Sequence, residues 1–413
     1  MSTSSRSTGA TPTHPSTAWL AQAPHRLLFF IGAGNLLLAM GWWTAWLAST
    51  RWGLLSLPQA TMYPGWLHAF VMQYQVLPSF IFGFLLTVFP RWMGLRESTR
   101  RQYLPVGAGL FVGQALLLAA ALGVPGTLWL GLVTTLAGWS IGTWRLTGMV
   151  RAERGRTWHA RSCVAALWLG GAGLVCFGVF LAGGAPWWLS ASVRLGTFGM
   201  LLPIYLTVAH RMVPFFAGNV VAGYVAWRPM AWLAALWSLL VLRLALDLGQ
   251  ATAWSWLADG PLLVLAVVTL WRWWPRAAAP GLLWVLFAGL VWWPVTHLLY
   301  ALQSLVQLYS GQWLIARAPA HALFIGLFGS LLVAMVTRVT QGHSGRPLRM
   351  TPTGWCAFFG IQAVAALRIA AEAMPDTLAW LAWSALGWLV VLGPWVARIG
   401  MIYLSPRADG KPG

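Results

Sequence analysis

The sequence is poor in charged residues: of its 413 residues only 8% are charged, and only 7 are acidic. In soluble domains roughly a quarter of the residues are charged, so a soluble fold of this length could not cover its surface with so few charges. Lysine is almost absent, with Lys411 as its single instance. The three cysteines, Cys163, Cys176 and Cys356, lie in or beside apolar segments without paired spacing. We therefore expect neither a disulfide framework nor a cysteine metal site.

Common catalytic and binding signatures are also missing. The chain contains no GxxxxGK[ST], no HExxH, no CxxCH and no serine nucleophile elbow. The absence of CxxCH argues against covalently attached c-type haem, so a haem in this protein would be b-type.

What the sequence has instead is hydrophobic length, with 59% hydrophobic residues. Apolar stretches of about 20 residues recur along the chain, each enough to cross a hydrocarbon core of roughly 30 Å. Many of the 31 tryptophans end these stretches, where amphipathic rings favour the membrane interface. We predict an all-α, polytopic transmembrane helix bundle of about twelve spans. The predicted spans are 27–47, 64–89, 104–122, 125–147, 162–182, 190–209, 229–249, 252–272, 281–302, 318–338, 353–373 and 378–404.

The bundle is predicted to be a single domain over residues 24–404. A Ser/Thr/Pro-rich tail at 1–23 precedes it and is expected to be disordered, and a short tail at 405–413 follows. The first tail does not resemble a cleavable signal peptide, because no short apolar core precedes a small-residue cleavage site.

The net charge of +19 comes from arginines in short loops between the apolar runs. Such loops are typical of contact with anionic lipid and of the positive-inside rule, so we expect the lipid bilayer and no nucleic acid as a partner. The basic loops fall on one side, around 90–103, 145–161, 210–228, 271–280 and 338–352. Both termini are therefore predicted to be cytoplasmic, in agreement with an even number of spans.

The histidines fall at two predicted levels. His68, His297 and His321 lie about one turn inside their spans, roughly 5–8 Å beneath the outer surface at 1.5 Å per residue. A second group, at the cytoplasmic ends of the first, sixth and tenth spans, is His25, His210 and His343. His14 and His159 are expected to be solvated. Ionisable side chains in a membrane commonly mark a functional site, and imidazole suits haem iron and copper. The alternative is that the histidines hydrogen-bond between helices or anchor at the interface.

Polar stripes support a cavity at the outer level. One stripe on the second span comprises His68, Met72, Gln75 and Ser79, and one on the ninth comprises His297, Tyr300, Ser304 and Gln307. Two charge pairs at i, i+4 spacing, Arg243 with Asp247 and Arg368 with Glu372, lie near the outer ends of their spans. They are interpreted either as self-neutralising pairs or as arginines for haem propionates and acids that carry protons.

Several of these residues form a pattern that resembles the NnrS family over roughly residues 24–404. The second-span motif runs from Trp66 through Met72 to Gly83-Phe84-Leu85-Leu86-Thr87 and Pro90-Arg91-Trp92. The more specific tenth-span motif contains His321-Ala322-Leu323, Gly329, Met335, Thr337-Arg338-Val339-Thr340 and Gly342-His343-Ser344-Gly345-Arg346-Pro347-Leu348. Supporting matches are Pro24-His25-Arg26, Arg211, Pro214, Phe216, Asn219, and His297 with Tyr300.

The resemblance implies a twelve-span bacterial inner-membrane protein with haem, and copper as a second metal. Such proteins are linked to nitric oxide, denitrification and protection against nitrosative stress. No defined reaction is attached to the family, so an oxidoreductase activity on nitric oxide is left open. The second span departs from the family pattern His-x-His-Glu-Met, because Phe70 and Val71 replace the second histidine and the glutamate. One metal site is then altered, moved or lost. His210 stands where the family pattern has a small residue.

We therefore predict that His68 and His321 are axial ligands of a b-type haem. His297, supported by Tyr300, is the alternative axial ligand or serves a copper ion, and Met72 is an alternative soft ligand. Propionates would be neutralised by Arg243, Arg317 and Arg368. A second metal or haem site is predicted where Gly342–Arg346 brings His343 to the level of His25 and His210.

Two other classes of function remain open from the residues. A proton- or metal-ion-coupled transporter would use the intramembrane histidines and charge pairs as its path. A structural or assembly protein would need no cofactor. A Soret band separates both from a haem protein. The oligomeric state is not predicted.

Overall fold

Each apolar run folds as one long helix in the structure, a computed structural model that describes residues 15–410. The first six long helices of this range are α1 (Pro24–Trp52), α2 (Pro64–Met93), α3 (Arg100–Ala121), α4 (Thr127–Ala152), α5 (Trp158–Leu181) and α6 (Pro186–Gly218). The next six are α7 (Met230–Leu248), α8 (Thr252–Trp273), α9 (Gly281–Ser310), α10 (Ala318–His343), α11 (Pro352–Ala373) and α12 (Thr377–Tyr403). No strand occurs within the described residues.

Eleven of these helices are long and apolar enough to cross a membrane. The other, α4, mixes its leucines with glycine, threonine and tryptophan, and it packs closely against α3. A Cβ at Gly109 of α3 would lie 2.6 Å from the Cα of Gly138 of α4, so these two backbones touch. The predicted all-α polytopic bundle is confirmed. The count of twelve spans and the side of the termini stay predictions.

Several helices extend beyond their predicted spans. The sixth was predicted at 190–209 and runs over Pro186–Gly218, and the ninth was predicted at 281–302 and ends at Ser310. Hydropathy detects the apolar centre of a helix, whereas backbone hydrogen bonding continues through polar residues such as Arg211 and Gln307. The depth of a side chain counted from a hydropathy boundary is therefore shifted.

The two ends of the bundle are closed by different contacts. At the terminal end, where α1 begins and α10 and α12 end, Arg26 donates to the carbonyls of Tyr403 (3.2 Å) and Ser405 (3.1 Å). At the opposite end, called the cavity end below, Arg51 forms an ion pair of 2.7 Å with Asp376. The hydrogen bond from Arg51 lowers the pKa of the Asp376 carboxyl.

The chain is already folded ahead of the predicted boundary at residue 24. Thr17–Gln22 forms a 3-10 helix in which Trp19 and Leu20 are buried, and the Ser16 amide donates to the Leu404 carbonyl at 2.7 Å. The rest of the tail predicted to be disordered is residues 1–14, which include His14 and lie outside the described residues. Residues 411–413 lie outside them as well.

Candidate functional site

A cavity of about 360 Å³ lies at the cavity end, bordered by α1, α2 and α6 to α12. Six of the seven residues predicted to bind a cofactor border it: His68, Met72, Arg243, Tyr300, His321 and Arg368. The predicted neighbour Arg317 borders it as well. Helix geometry explains why His68 and His321 border the same cavity, since both lie in the first turns of helices that begin at this end.

His321 is held in one tautomer by its own helix. Its Nδ1 lies 2.8 Å from the carbonyl oxygen of Arg317, four residues earlier, so Nδ1 carries the proton and donates. The lone pair then belongs to Nε2, on a side chain that borders the cavity. This is the arrangement found in metal-binding histidines, in which the second ring nitrogen is fixed by a hydrogen bond.

His68 is fixed by stacking. Its ring lies 4.4 Å from that of Trp43 on α1, with only 12° between the two planes. Among the described residues, its buried Nδ1 has no hydrogen-bond partner. Met72, one turn along α2, borders the same cavity. The imidazole is thus oriented by an aromatic neighbour while its nitrogens stay available to a ligand.

Three π-helical segments interrupt the helices around this cavity: Met72–Val76 in α2, Leu195–Leu201 in α6 and Ala322–Gly329 in α10. Arg194 and His321 directly precede their segments, and His68 stands one turn before its own. Such segments are rare and concentrate at functional sites. The sequence prediction missed them, because no residue pattern marks a π turn.

The π segments of α2 and α6 also contact each other. Gln73 Nε2 donates to Thr197 Oγ1 at 3.3 Å. A Cβ on Gly196 would lie 2.1 Å from Gln73 Oε1, so only glycine allows this approach. The cavity wall here is built from two π-helical segments that pack side by side.

His297 does not border the cavity, contrary to expectation. Because α9 continues to Ser310, His297 lies thirteen residues before the helix end, about 20 Å at 1.5 Å per residue. Its Nδ1 lies 2.9 Å from Asp259 Oδ1, and within the described part of the chain its fully buried Nε2 has no partner. The predicted shared depth of His68, His297 and His321 is therefore wrong for His297.

Asp259 belongs to a buried charge network that the sequence prediction missed. Its other oxygen pairs with Arg243 Nε at 2.9 Å, and Arg243 also pairs with Asp247. Asp247 borders the cavity and faces Arg194 at 3.6 Å. The network thus joins the cavity wall to the buried imidazole of His297. An aspartate inside an apolar span was the signal that could have identified it.

The predicted pairs at i, i+4 spacing are present, with Arg368 2.8 Å from Glu372. The cavity wall nevertheless remains basic. Four arginines border it, Arg194, Arg243, Arg317 and Arg368, against one aspartate. Even with Asp259 and Glu372 behind the wall, the four positive charges exceed the three negative ones by one. No carboxylate within residues 15–410 pairs with Arg317.

The predicted polar stripes divide between two surroundings. On α9, Tyr300, Ser304 and Gln307 border the cavity. On α2, Gln75 instead donates to Thr135 of α4, and Ser79 donates to the Gln75 carbonyl at 2.7 Å. Gln75 thus joins α2 to α4, Ser79 bonds within its own helix, and neither residue lines the cavity.

At the terminal end the rings of His25 and His343 are neighbours, with 4.3 Å between their centroids. The Gly342–Arg346 turn is covered by the C-terminal segment. Arg407 donates to the His343 carbonyl at 3.0 Å, and the Ala408 amide donates to the Ser344 carbonyl at 2.9 Å. His343 and His25 are neighbours as expected, but the C-terminal segment covers this region.

His210 is not part of that cluster. It lies eight residues before the end of α6, and its Nδ1 is 2.9 Å from Nε2 of His159. His159, expected to be solvated, is buried because α5 begins at Trp158 and turns this side chain towards α6. His210 also stacks on Trp232 at 4.6 Å. The terminal end therefore holds two separate histidine pairs.

Nowhere in residues 15–410 do three side chains of His, Cys, Asp and Glu come together as a group that could hold a metal ion. Fold and site together define a multi-pass helical membrane protein with a basic, histidine-bordered cavity near one end. The chain belongs to the NnrS family, whose model, described as NnrS protein, matches residues 19–407. No curated protein matches the sequence.

Proposed function

We propose that this chain is a b-type haem protein of the bacterial cytoplasmic membrane that binds nitric oxide or a related small molecule, in a denitrification or nitrosative-stress context. The observation that carries the proposal is that His68 and His321 border one cavity with an excess of arginine. Membership of the NnrS family supports it.

The residues present fit a haem. A cavity of about 360 Å³ falls within the roughly 300–1,000 Å³ of small-molecule sites. His321 offers the Nε2 lone pair, and His68 offers an imidazole without a protein partner at Nδ1. Arg317 and Arg368 would bind propionates, each charge-assisted hydrogen bond contributing about 1.5–3 kcal/mol. Bound there, the iron would supply a coordination position for nitric oxide once one of the two imidazoles is displaced.

The chain's own residues would orient the group and exclude water. The Arg317 carbonyl sets the tautomer of His321, and Trp43 sets the plane of His68. Leu36, Met40, Leu77 and other apolar side chains form most of the remaining wall. Such surroundings lower the local dielectric and tune the potential of a bound redox group.

Copper fits less well. The described residues offer no group of three His, Cys, Asp and Glu side chains that could hold a metal ion. Phe70 and Val71 occupy the second-span positions of the missing histidine and glutamate, and both are buried in the core. The proposal therefore holds haem alone.

The test is haem uptake by protein purified in mild detergent. Wild type should develop a Soret band with haemin, and His68→Ala and His321→Ala should each weaken binding at least about tenfold, or about 1.4 kcal/mol. His159→Ala is the matched control, because it removes a buried histidine at the terminal end. Full occupancy and unchanged bands in both cavity variants would place the iron elsewhere.

A second candidate, a proton-coupled transporter, is favoured by the network from Asp247 through Arg243 and Asp259 to His297. Buried ionisable chains of this kind serve as proton relays. It predicts no Soret band, and proton movement in proteoliposomes that Asp259→Asn abolishes. A haem protein gives the opposite pair of results.

A further inference from the structure

A second, smaller cavity of about 80 Å³ lies deeper in the bundle, towards the terminal end. We call it the apolar chamber. Its wall comes from α1, α2, α6, α9 and α10, and it is apolar throughout apart from the ring of Tyr205. Representative wall residues are Phe29, Ile81, Ile204, Ala209, Leu331 and Val336.

The chamber adjoins the histidine-bordered cavity at one residue. Leu332 of α10 borders both spaces, three residues after the π segment that follows His321. Its side chain is buried. Leu332 therefore stands between the chamber and the proposed haem position.

The other side of the chamber reaches the bundle surface. Phe84, Met212 and Val339 all line it and are only half-buried. Phe84 lies nine residues before the end of α2, about 13 Å from that end, at the depth of hydrocarbon. The chamber is thus accessible from a level at which the surrounding phase is apolar.

The chemistry of the chamber selects its ligand. A water molecule needs two to four polar partners, and this wall does not supply them, so the space stays dry. It is far smaller than the roughly 300 Å³ of a typical small-molecule site, which excludes haem. A small apolar molecule gains by leaving water for such a wall.

We propose that the apolar chamber binds a small apolar gas and passes it to the histidine-bordered cavity past Leu332. Anionic ligands would instead enter the larger cavity beside Arg317, which borders it and is exposed. The delivery of gas to iron rests on the proposed haem function, whereas the binding of gas in the chamber does not.

The binding step is tested with xenon, without haem. Xenon-pressurised protein should show a xenon atom in the chamber by its anomalous scattering. Ala209→Leu should fill the space and remove the atom, and Ala385→Leu is the matched control, since Ala385 is as buried but borders only the larger cavity. No xenon in wild type, or equal occupancy in Ala209→Leu, would overturn the site.

The delivery step is tested on haem-loaded protein by flash photolysis. Ala209→Leu and Leu332→Trp should each slow carbon monoxide rebinding at least about tenfold. Ala209→Leu, which does not border the larger cavity, should change cyanide binding less than about twofold. Equal slowing of both ligands in Ala209→Leu, or of neither, refutes this route. If wild type takes up no haem, the proposed function and delivery fail together, while the xenon result still decides the chamber.

Discussion

At the cavity end His68 and His321 border open space, whereas at the terminal end His25 and His159 each contact a second histidine ring. The sequence presents both ends alike, as histidines near the ends of spans. The packing around the histidines differs. At one end π segments and arginines surround a cavity, and at the other end the folded C-terminal segment closes the bundle. A histidine level can therefore accept a ligand only where the packing leaves space beside it.

The two ends of the bundle are expected to face different compartments. With both termini cytoplasmic, Gln312→Cys at the cavity end should react with a membrane-impermeant maleimide on intact cells. Arg156→Cys at the terminal end should react only after lysis. Both sites are exposed, and Cys356→Ser removes the exposed native thiol. The reverse labelling pattern would place the cavity in the cytoplasm.

The cavity end also holds the buried charges, so it should be the more sensitive end to loss of a partner. Asp259→Ala leaves Arg243 and His297 without their shared carboxylate. A fully broken buried ion pair costs about 3–5 kcal/mol, and because Arg243 keeps Asp247 as a partner the loss here should not exceed that range. Thermal unfolding in detergent, followed by tryptophan fluorescence, measures the loss.

The control for this substitution is Asp376→Ala, which removes an exposed ion pair at the same end of the bundle. Its effect on the melting temperature should be smaller, since an exposed pair contributes little and the N-cap that Asp376 also provides to α12 contributes about 0.5–2 kcal/mol. Equal effects of the two substitutions would mean that Asp259 is not a member of a stabilising network.

Substitutions at the terminal end should lower the free energy of unfolding by a smaller amount and leave the haem spectrum unchanged. His159→Ala leaves Nδ1 of His210 without its partner, which costs about 1–3 kcal/mol for a buried polar group. His159→Gln, which can still hydrogen-bond, should recover part of this. A change in the haem spectrum of either variant would show that the His159–His210 pair takes part in the site.

Depth along a helix can be counted from the sequence near a helix start, but the count failed on α9, and direction around a helix was not predictable. His68 and His321 each stand within two turns of a helix start, where counting residues gives the position along the helix, and their role as ligands stays a prediction. His297 failed because polar residues extend α9 well past its apolar core. Gln75 failed because its face of α2 packs on α4, which no single-sequence pattern specifies.

Two residues, His159 and Asp259, were misjudged because their neighbours along the sequence suggested the wrong surroundings. His159 follows a run of arginines and was assigned to solvent, although the first turn of α5 buries it against α6. Asp259 was passed over in an apolar span, although its carboxylate joins two helices. Both errors concern partners distant in sequence, which hydropathy and spacing do not reveal.

The three π segments give the cavity a particular sensitivity to chain length. A π turn contains one residue more than an α turn, so deleting one residue from Ala322–Gly329 would restore regular pitch and redirect side chains within the segment, such as Phe324 and Ile325 that border the cavity, while His321 keeps its direction relative to the rest of α10. The same holds for His68 ahead of Met72–Val76. The gain or loss of a single codon, with every other residue unchanged, would then decide which side chains face the cavity.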